Sequence, residues 1–90
     1  MDYEWDSSKA VANFAKHGVP FEKIELFEWE MAVIYEDVRF AYGERRFNAF
    51  AKIDGRLHAL VFTSRGQKIR IIGLRKANER EVRRYEKEKA

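Results

Sequence analysis

Between Glu44 and Ala77 three apolar-rich runs follow one another, separated by Asp54-Gly55 and by Arg65-Gly66-Gln67. Asp-Gly suits a two-residue hairpin, because a type I′ turn needs positive φ at both central positions. Gly66 gives the second reversal the same freedom. Two such short connections predict an antiparallel three-stranded meander over about residues 46–75. A purely structural meander would expose Lys, Thr or Glu. This one carries Arg46, Arg65, Arg70 and Arg75, with Lys68 and Lys76 beside them. The guanidinium fork matches a phosphate in two hydrogen bonds, so the runs point to a polyanion.

The flanking segments predict an α+β fold. Tyr3-Glu4-Trp5 alternates and adds a short strand at the meander edge. Asp6 or Ser7 caps a helix running to about His17, with Ala10, Val11 and Phe14 as its inward stripe. Gly18 fits the left-handed position that ends a helix, and Val19 closes the contact behind it. Pro20 starts a second, shorter helix that buries Phe21, Ile24 and Phe27. Both helices are expected to lie as lids over one face of a small antiparallel sheet. A strand falls near residues 32–36, and Glu36-Asp37 opens a loop containing Arg39, Tyr42 and Gly43. Asn78 with Glu81 forms a capping box for a last helix, nearly all charged, whose apolar face is Val82 and Tyr85. So narrow a stripe predicts weak docking of that helix.

Ninety residues make one domain, read as 1–90. The chain has no cysteine, which removes disulfides and thiolate metal sites and suits a reducing cytoplasm. The acidic, aromatic start does not read as a signal peptide, and no apolar run is long enough for a bilayer. Charge is uneven. Residues 1–64 carry a balance of −3 and residues 65–90 a balance of +6. That asymmetry fits either a polyanion-facing surface or a solvated C-terminal helix.

Which arginines share a face depends on register. Arg70 and Arg75 are an odd number apart and so point to opposite sides of a regular strand, unless a bulge intervenes or Arg75 lies past the strand end. A two-residue turn at Gly66-Gln67 pairs Arg65 with Lys68 and Thr63 with Arg70. It groups Arg46, Arg65 and Arg70 on one face and leaves Arg75 near His58 on the other. A three-residue turn reverses the grouping. Two histidines, His17 and His58, leave a paired-imidazole route open, and Lys16-His17 also suits a helix C-terminus electrostatically. Glu44 reads as a base or as an arginine partner. Trp5 and Trp29 read as core or partner contacts. No HExxH, CxxC or carboxylate cluster suggests a metal site.

Ordered fragments along the chain resemble the BrnT-type toxins of bacterial type II toxin–antitoxin pairs. They are Glu4-Trp5-Asp6 with Lys9-Ala10, Asn13 with Lys16-His17-Gly18-Val19, Phe21-Glu22, and Tyr42 through Phe47. Gly55-Arg56-Leu57, Phe62 through Gly66, Ile69 through Ile72, Arg75 through Asn78 with Arg80-Glu81, and Tyr85 complete the set. One stretch departs: residues 28–32 read Glu-Trp-Glu-Met-Ala where the family often carries Asp-Pro. The resemblance implies a RelE-like fold and a cytoplasmic ribonuclease that needs no metal or other cofactor and arrests growth by cutting RNA. It implies a hetero-oligomer with a BrnA-like antitoxin through which operator DNA is bound, and no membrane. Metal-free cleavage needs a base for the 2′-OH, an acid for the 5′-oxygen and cations for the phosphorane. The residues' own placement and the resemblance together nominate Arg65, Arg75, Lys16, His17, Glu44 and Tyr85 for chemistry, and charge along the meander nominates Arg46, Arg70, Lys68 and Lys76 for RNA contact. A non-catalytic module of the same fold, or a small adaptor, would use the same residues for docking.

Overall fold

The computed structural model describes residues 1–39 and 43–90. Its elements are β1 (Asp2–Trp5), α1 (Ser7–His17), two 3-10 helices (Phe21–Leu26 and Trp29–Met31), β2 (Val33–Asp37), β3 (Arg46–Ile53), β4 (Arg56–Arg65), β5 (Lys68–Lys76) and α2 (Glu79–Lys89). The strands form one sheet in the order β1-β5-β4-β3-β2. At the first meander turn Asp54 and Gly55 both have positive φ, 51° and 78°, as a type I′ turn requires. At the second, Gly66 has φ 60° while Gln67 does not share it, which fits a type II′ turn. The shorter of the two connections is therefore the one used, and Arg65 pairs with Lys68.

The sheet is mixed, not wholly antiparallel, because β1 runs parallel to β5. In that direction Tyr3 and Trp5 stand beside Ile69 and Ile71 and join the core. The chain then leaves Trp5 along β5, where α1 begins. Asp6 caps α1 by accepting from the Lys9 backbone N–H, and Gly18 ends it at φ 72°. Asn13 holds the helix against the strand. Its amide donates to Leu74 O at 2.7 Å and accepts from Leu74 N at 3.2 Å, as a neighbouring strand residue would. Past the end of β1, this side chain closes part of the outer edge of β5.

The expected inward stripe of α1 is not buried. Val11 is 71% and Phe14 54% exposed, and of the three only Ala10 packs against the core. The helix lies alongside β5 and is held by Asn13 and its caps, so it does not need an apolar seam and is not a lid. The second helix is a 3-10 helix, not an α-helix, and Pro20 precedes it instead of opening it. Its buried residues explain why: Phe21, Ile24 and Phe27 recur every three positions, so a three-residue turn aligns them where 3.6 would not. They cover one sheet face together with Ala49, Ala51, Ile53, Leu60, Phe62, Ile71 and Leu74. Each large side chain fully buried there contributes about 1.5–3 kcal/mol. Trp5 meets Phe21 edge-on at 5.8 Å, and Trp29 does the same to Phe62 at 5.5 Å.

β2 runs on through Glu36 and Asp37, which continue the ladder with β3 where a loop was expected. Tyr42 lies outside the described residues. On the opposite sheet face, α2 packs Tyr85 and Val82 against Leu57, Ala77, Val33 and Phe50. The capping box between Asn78 and Glu81 forms in both directions. Docking also uses polar contacts that the narrow stripe did not reveal: Tyr85 donates to Met31 O at 2.8 Å and Arg75 grips Glu81. Among the described residues no helix is long and apolar enough to cross a membrane.

Candidate functional site

The face that α2 only partly covers gathers the arginines, and one irregularity in β5 is responsible. β4 is unbroken, so Ala59, Val61, Thr63 and Arg65 all point to one side. Their partners on β5 are Arg75, Gly73, Arg70 and Lys68. The register shifts between Val61 and Phe62, which face Gly73 and Ile71 and leave Ile72 as an extra residue. A bulge of this kind cancels the odd spacing of Arg70 and Arg75. The expectation that Arg75 would lie near His58 on the other face is thereby overturned; His58 faces Lys76 instead. The β3–β4 register, extended by one residue past Phe47–Phe62, brings Arg46 beside Thr63 on the same side. Arg46, Arg65, Lys68, Arg70 and Arg75 thus share one surface, with side-chain-free Gly73 between the last two.

Carboxylates hold these cations in place. Glu44 reaches Arg65 at 3.3 Å and Arg46 at 3.9 Å, which makes it the arginine partner that its position suggested. Glu4 reaches Arg70 at 2.9 Å, across the β1–β5 ladder. Glu81 binds Arg75 through two bonds of 2.8 and 2.9 Å. That fork raises the guanidinium pKa and lowers the Glu81 carboxyl below the usual range, so both stay charged near neutrality. Solvent-facing ion pairs are worth only about 0–1 kcal/mol, so a phosphate can replace a carboxylate at Arg65 at little cost. Thr63 fixes the segment between them by donating to Arg45 O at 2.6 Å.

The other nominated residues divide. His17, at the end of α1, has its pKa lowered, first by burial and then by the positive charges of Lys16 and Arg75. The imidazole is neutral at pH 7 and lies within the electrostatic reach of the arginine face. Lys16 adjoins it and is exposed. Lys76 is not brought into the cluster, since it shares a face with His58, whose Nδ1 lies 2.7 Å from Arg56 O. Tyr85 is buried among Leu57 and Ala77, its hydroxyl occupied by Met31 O. Burial raises its pKa, with Glu28 adding to the shift.

Four nearby residues carried no sequence signal of a site. Glu4 pairs with Arg70 only through the parallel strand, although its place in an alternating run was visible. Tyr35, Asn48 and Arg84 meet only because β2, β3 and α2 do: Tyr35 pairs with Asn48, and the Arg84 guanidinium sits 4.2 Å from the Tyr35 ring centre. Among the described residues no group of three or more His, Cys, Asp or Glu is placed to hold a metal ion.

Chemically, this surface offers several guanidinium groups, with the His17 imidazole within their electrostatic reach, a set suited to an anion such as a phosphodiester. Among curated proteins no relative matches the chain. The sequence profile described as "Ribonuclease toxin, BrnT, of type II toxin-antitoxin system" matches residues 5–81, a span that includes α1, all the meander and the start of α2. The chain therefore belongs to the BrnT family of ribonuclease toxins of type II toxin–antitoxin systems.

Proposed function

We propose that this protein is an endoribonuclease that cleaves RNA on the arginine face without a metal ion, arrests growth when unopposed, and is neutralised by a cognate antitoxin. Family membership supports the substrate class and the antitoxin partner. One observation carries the location: the bulge at Ile72 turns Arg75 onto the surface of Arg46, Arg65 and Arg70. In this reading the scissile phosphate lies near Gly73, between Arg70 and Arg75. The arginines stabilise the negative charge that builds on the phosphorane. His17 accepts the 2′-hydroxyl proton, because its lowered pKa favours the neutral imidazole at pH 7 and Arg75 is among the charges that act on it. Glu44, Glu4 and Glu81 orient the arginines, and Lys68 and Lys16 extend the path of the RNA backbone. The small sheet, flanking helices and cationic face agree with a RelE-like architecture, operator DNA is bound through the antitoxin, and the toxin works in the cytoplasm.

The test is purified wild type and Arg75→Ala against a labelled structured RNA in EDTA. Cleavage by wild type that is lost in the variant, with the far-UV spectrum unchanged, supports the reading. Salt-sensitive RNA binding without cleavage, with or without ribosomes, would identify a non-catalytic binding module instead.

A further inference from the structure

Beside the arginine face, β2, β3 and α2 border an open cleft of about 460 Å³ whose lining includes Asn48, Phe50, Arg75 and Arg84 and the carboxylates of Glu36 and Glu81. That volume lies within the range of small-ligand sites. Two polar groups in it lack partners. Among the described residues the buried Tyr35 hydroxyl has no hydrogen-bond partner and the Asn48 amide makes no side-chain hydrogen bond. They are adjacent, because Tyr35 and Asn48 are cross-strand partners on the same face. Buried polar groups are almost always satisfied, so an orphan hydroxyl next to an unused amide marks a place shaped for something else.

The rest of the lining identifies the guest. Tyr35 and Phe50 supply aromatic surface, their ring centres 6.3 Å apart, and Arg84 already lies over Tyr35 as a second plane would. Flat π-systems stack on such surfaces whatever their identity. An amide offers a donor and an acceptor side by side, the pattern that reads a base edge. Arg75 belongs both to the cleft wall and to the arginine face, so one nucleotide can place its phosphate on the face and its base in the cleft.

We propose that this cleft is a nucleobase subsite for the nucleotide whose phosphate sits at Arg75, with Asn48 reading the base edge and Arg84 stacking on it. The assignment rests on the RNA reading of the arginine face. It makes Asn48 a specificity residue, not one that takes part in bond cleavage.

Titration of the full chain with AMP, GMP, CMP and UMP, and with inorganic phosphate as control, is followed by proton–nitrogen NMR. The expected result is movement of the Asn48 side-chain amide and of Phe50 by at least one nucleotide but not by phosphate, with both responses lost in Arg84→Ala and the Phe50 response lost in Asn48→Ala. On a fixed RNA, Asn48→Ala redistributes cleavage among sites by about tenfold while the fold is retained. Nucleotides that move only what phosphate moves, or variants with an unchanged cleavage pattern and unchanged nucleotide response, overturn the subsite. The two readings fail separately. RNA cleavage without any Asn48 response leaves the nuclease standing and removes the subsite; an Asn48 response in a protein that cuts no RNA does the reverse.

Discussion

Arg70 and Arg75 project from the same face of β5 although an odd number of positions separates them, because Ile72 is the extra residue of a bulge opposite Val61 and Phe62. In a regular strand they would point apart. The bulge converts a sheet with divided cations into one with a continuous cationic surface. Bulges commonly re-aim side chains next to functional sites, and this one does so around Gly73.

Arg75→Ala is expected to lower RNA cleavage by about 10²–10³-fold, the usual consequence of removing a donor aimed at developing negative charge. Arg75→Lys keeps the charge but loses the fork that fits Glu81 and a phosphate together, so it recovers only part of the rate. Single-turnover cleavage of one labelled RNA measures both. Full activity in Arg75→Ala would remove this residue from the site.

Asn13→Ala deletes both bonds to Leu74 and the bond to Val19 O at 3.1 Å. Leaving the Leu74 backbone groups unsatisfied costs about 1–3 kcal/mol. Thermal unfolding should show a matching drop in Tm, and light scattering should show self-association through the uncovered edge of β5. A variant as stable and as monodisperse as wild type would mean that water replaces the amide without loss.

His58 is buried, and desolvation pushes its imidazole pKa below the ordinary value of 6.5, although Arg56 O and Asp54 act the other way. As pH falls below 6.5 the unfolded chain takes up a proton that the folded chain resists. Stability is therefore present above pH 6.5 and declines as pH drops toward the lowered folded value. Denaturant unfolding of His58→Asn between pH 7.5 and 5.5 should show a flatter profile than wild type. Parallel profiles would mean that the two states of His58 titrate alike. The lowered carboxyls, such as Glu81, act in a separate and more acidic window.

Tyr85→Phe loses the bond to Met31 O but keeps the ring between Leu57 and Ala77. The expected outcome is a loss of about 1 kcal/mol in unfolding free energy with RNA cleavage little changed. An unchanged Tm together with a hundredfold slower reaction would instead place the hydroxyl in the chemistry.

Much of the architecture is local and therefore legible in the chain. Asp54-Gly55 and Gly66-Gln67 determine the two hairpins by what their backbones tolerate, and Asp6, Gly18 and Asn78 determine helix ends through bonds that span a few residues. The three-residue spacing of Phe21, Ile24 and Phe27 already held the 3-10 helix, although it read as an α-helix. The family resemblance was legible in the same way, from the order of short fragments. What the chain alone could not settle are relations between distant segments. The parallel placement of β1, the pairing of Glu4 with Arg70, and the use of Asn13 as a stand-in for a strand all depend on where β5 lies. So does the exposure of Val11 and Phe14, since α1 is held against β5 by the Asn13 amide and meets the core through Ala10. The bulge at Ile72 is of the same kind. Gly73 inside the run is a local mark of a bulge, but whether one forms there is decided when Phe62 and Leu60 both face the core opposite Ile71 and Leu74, which are not evenly spaced. Local backbone preference sets the elements, and core packing between them decides which arginines meet.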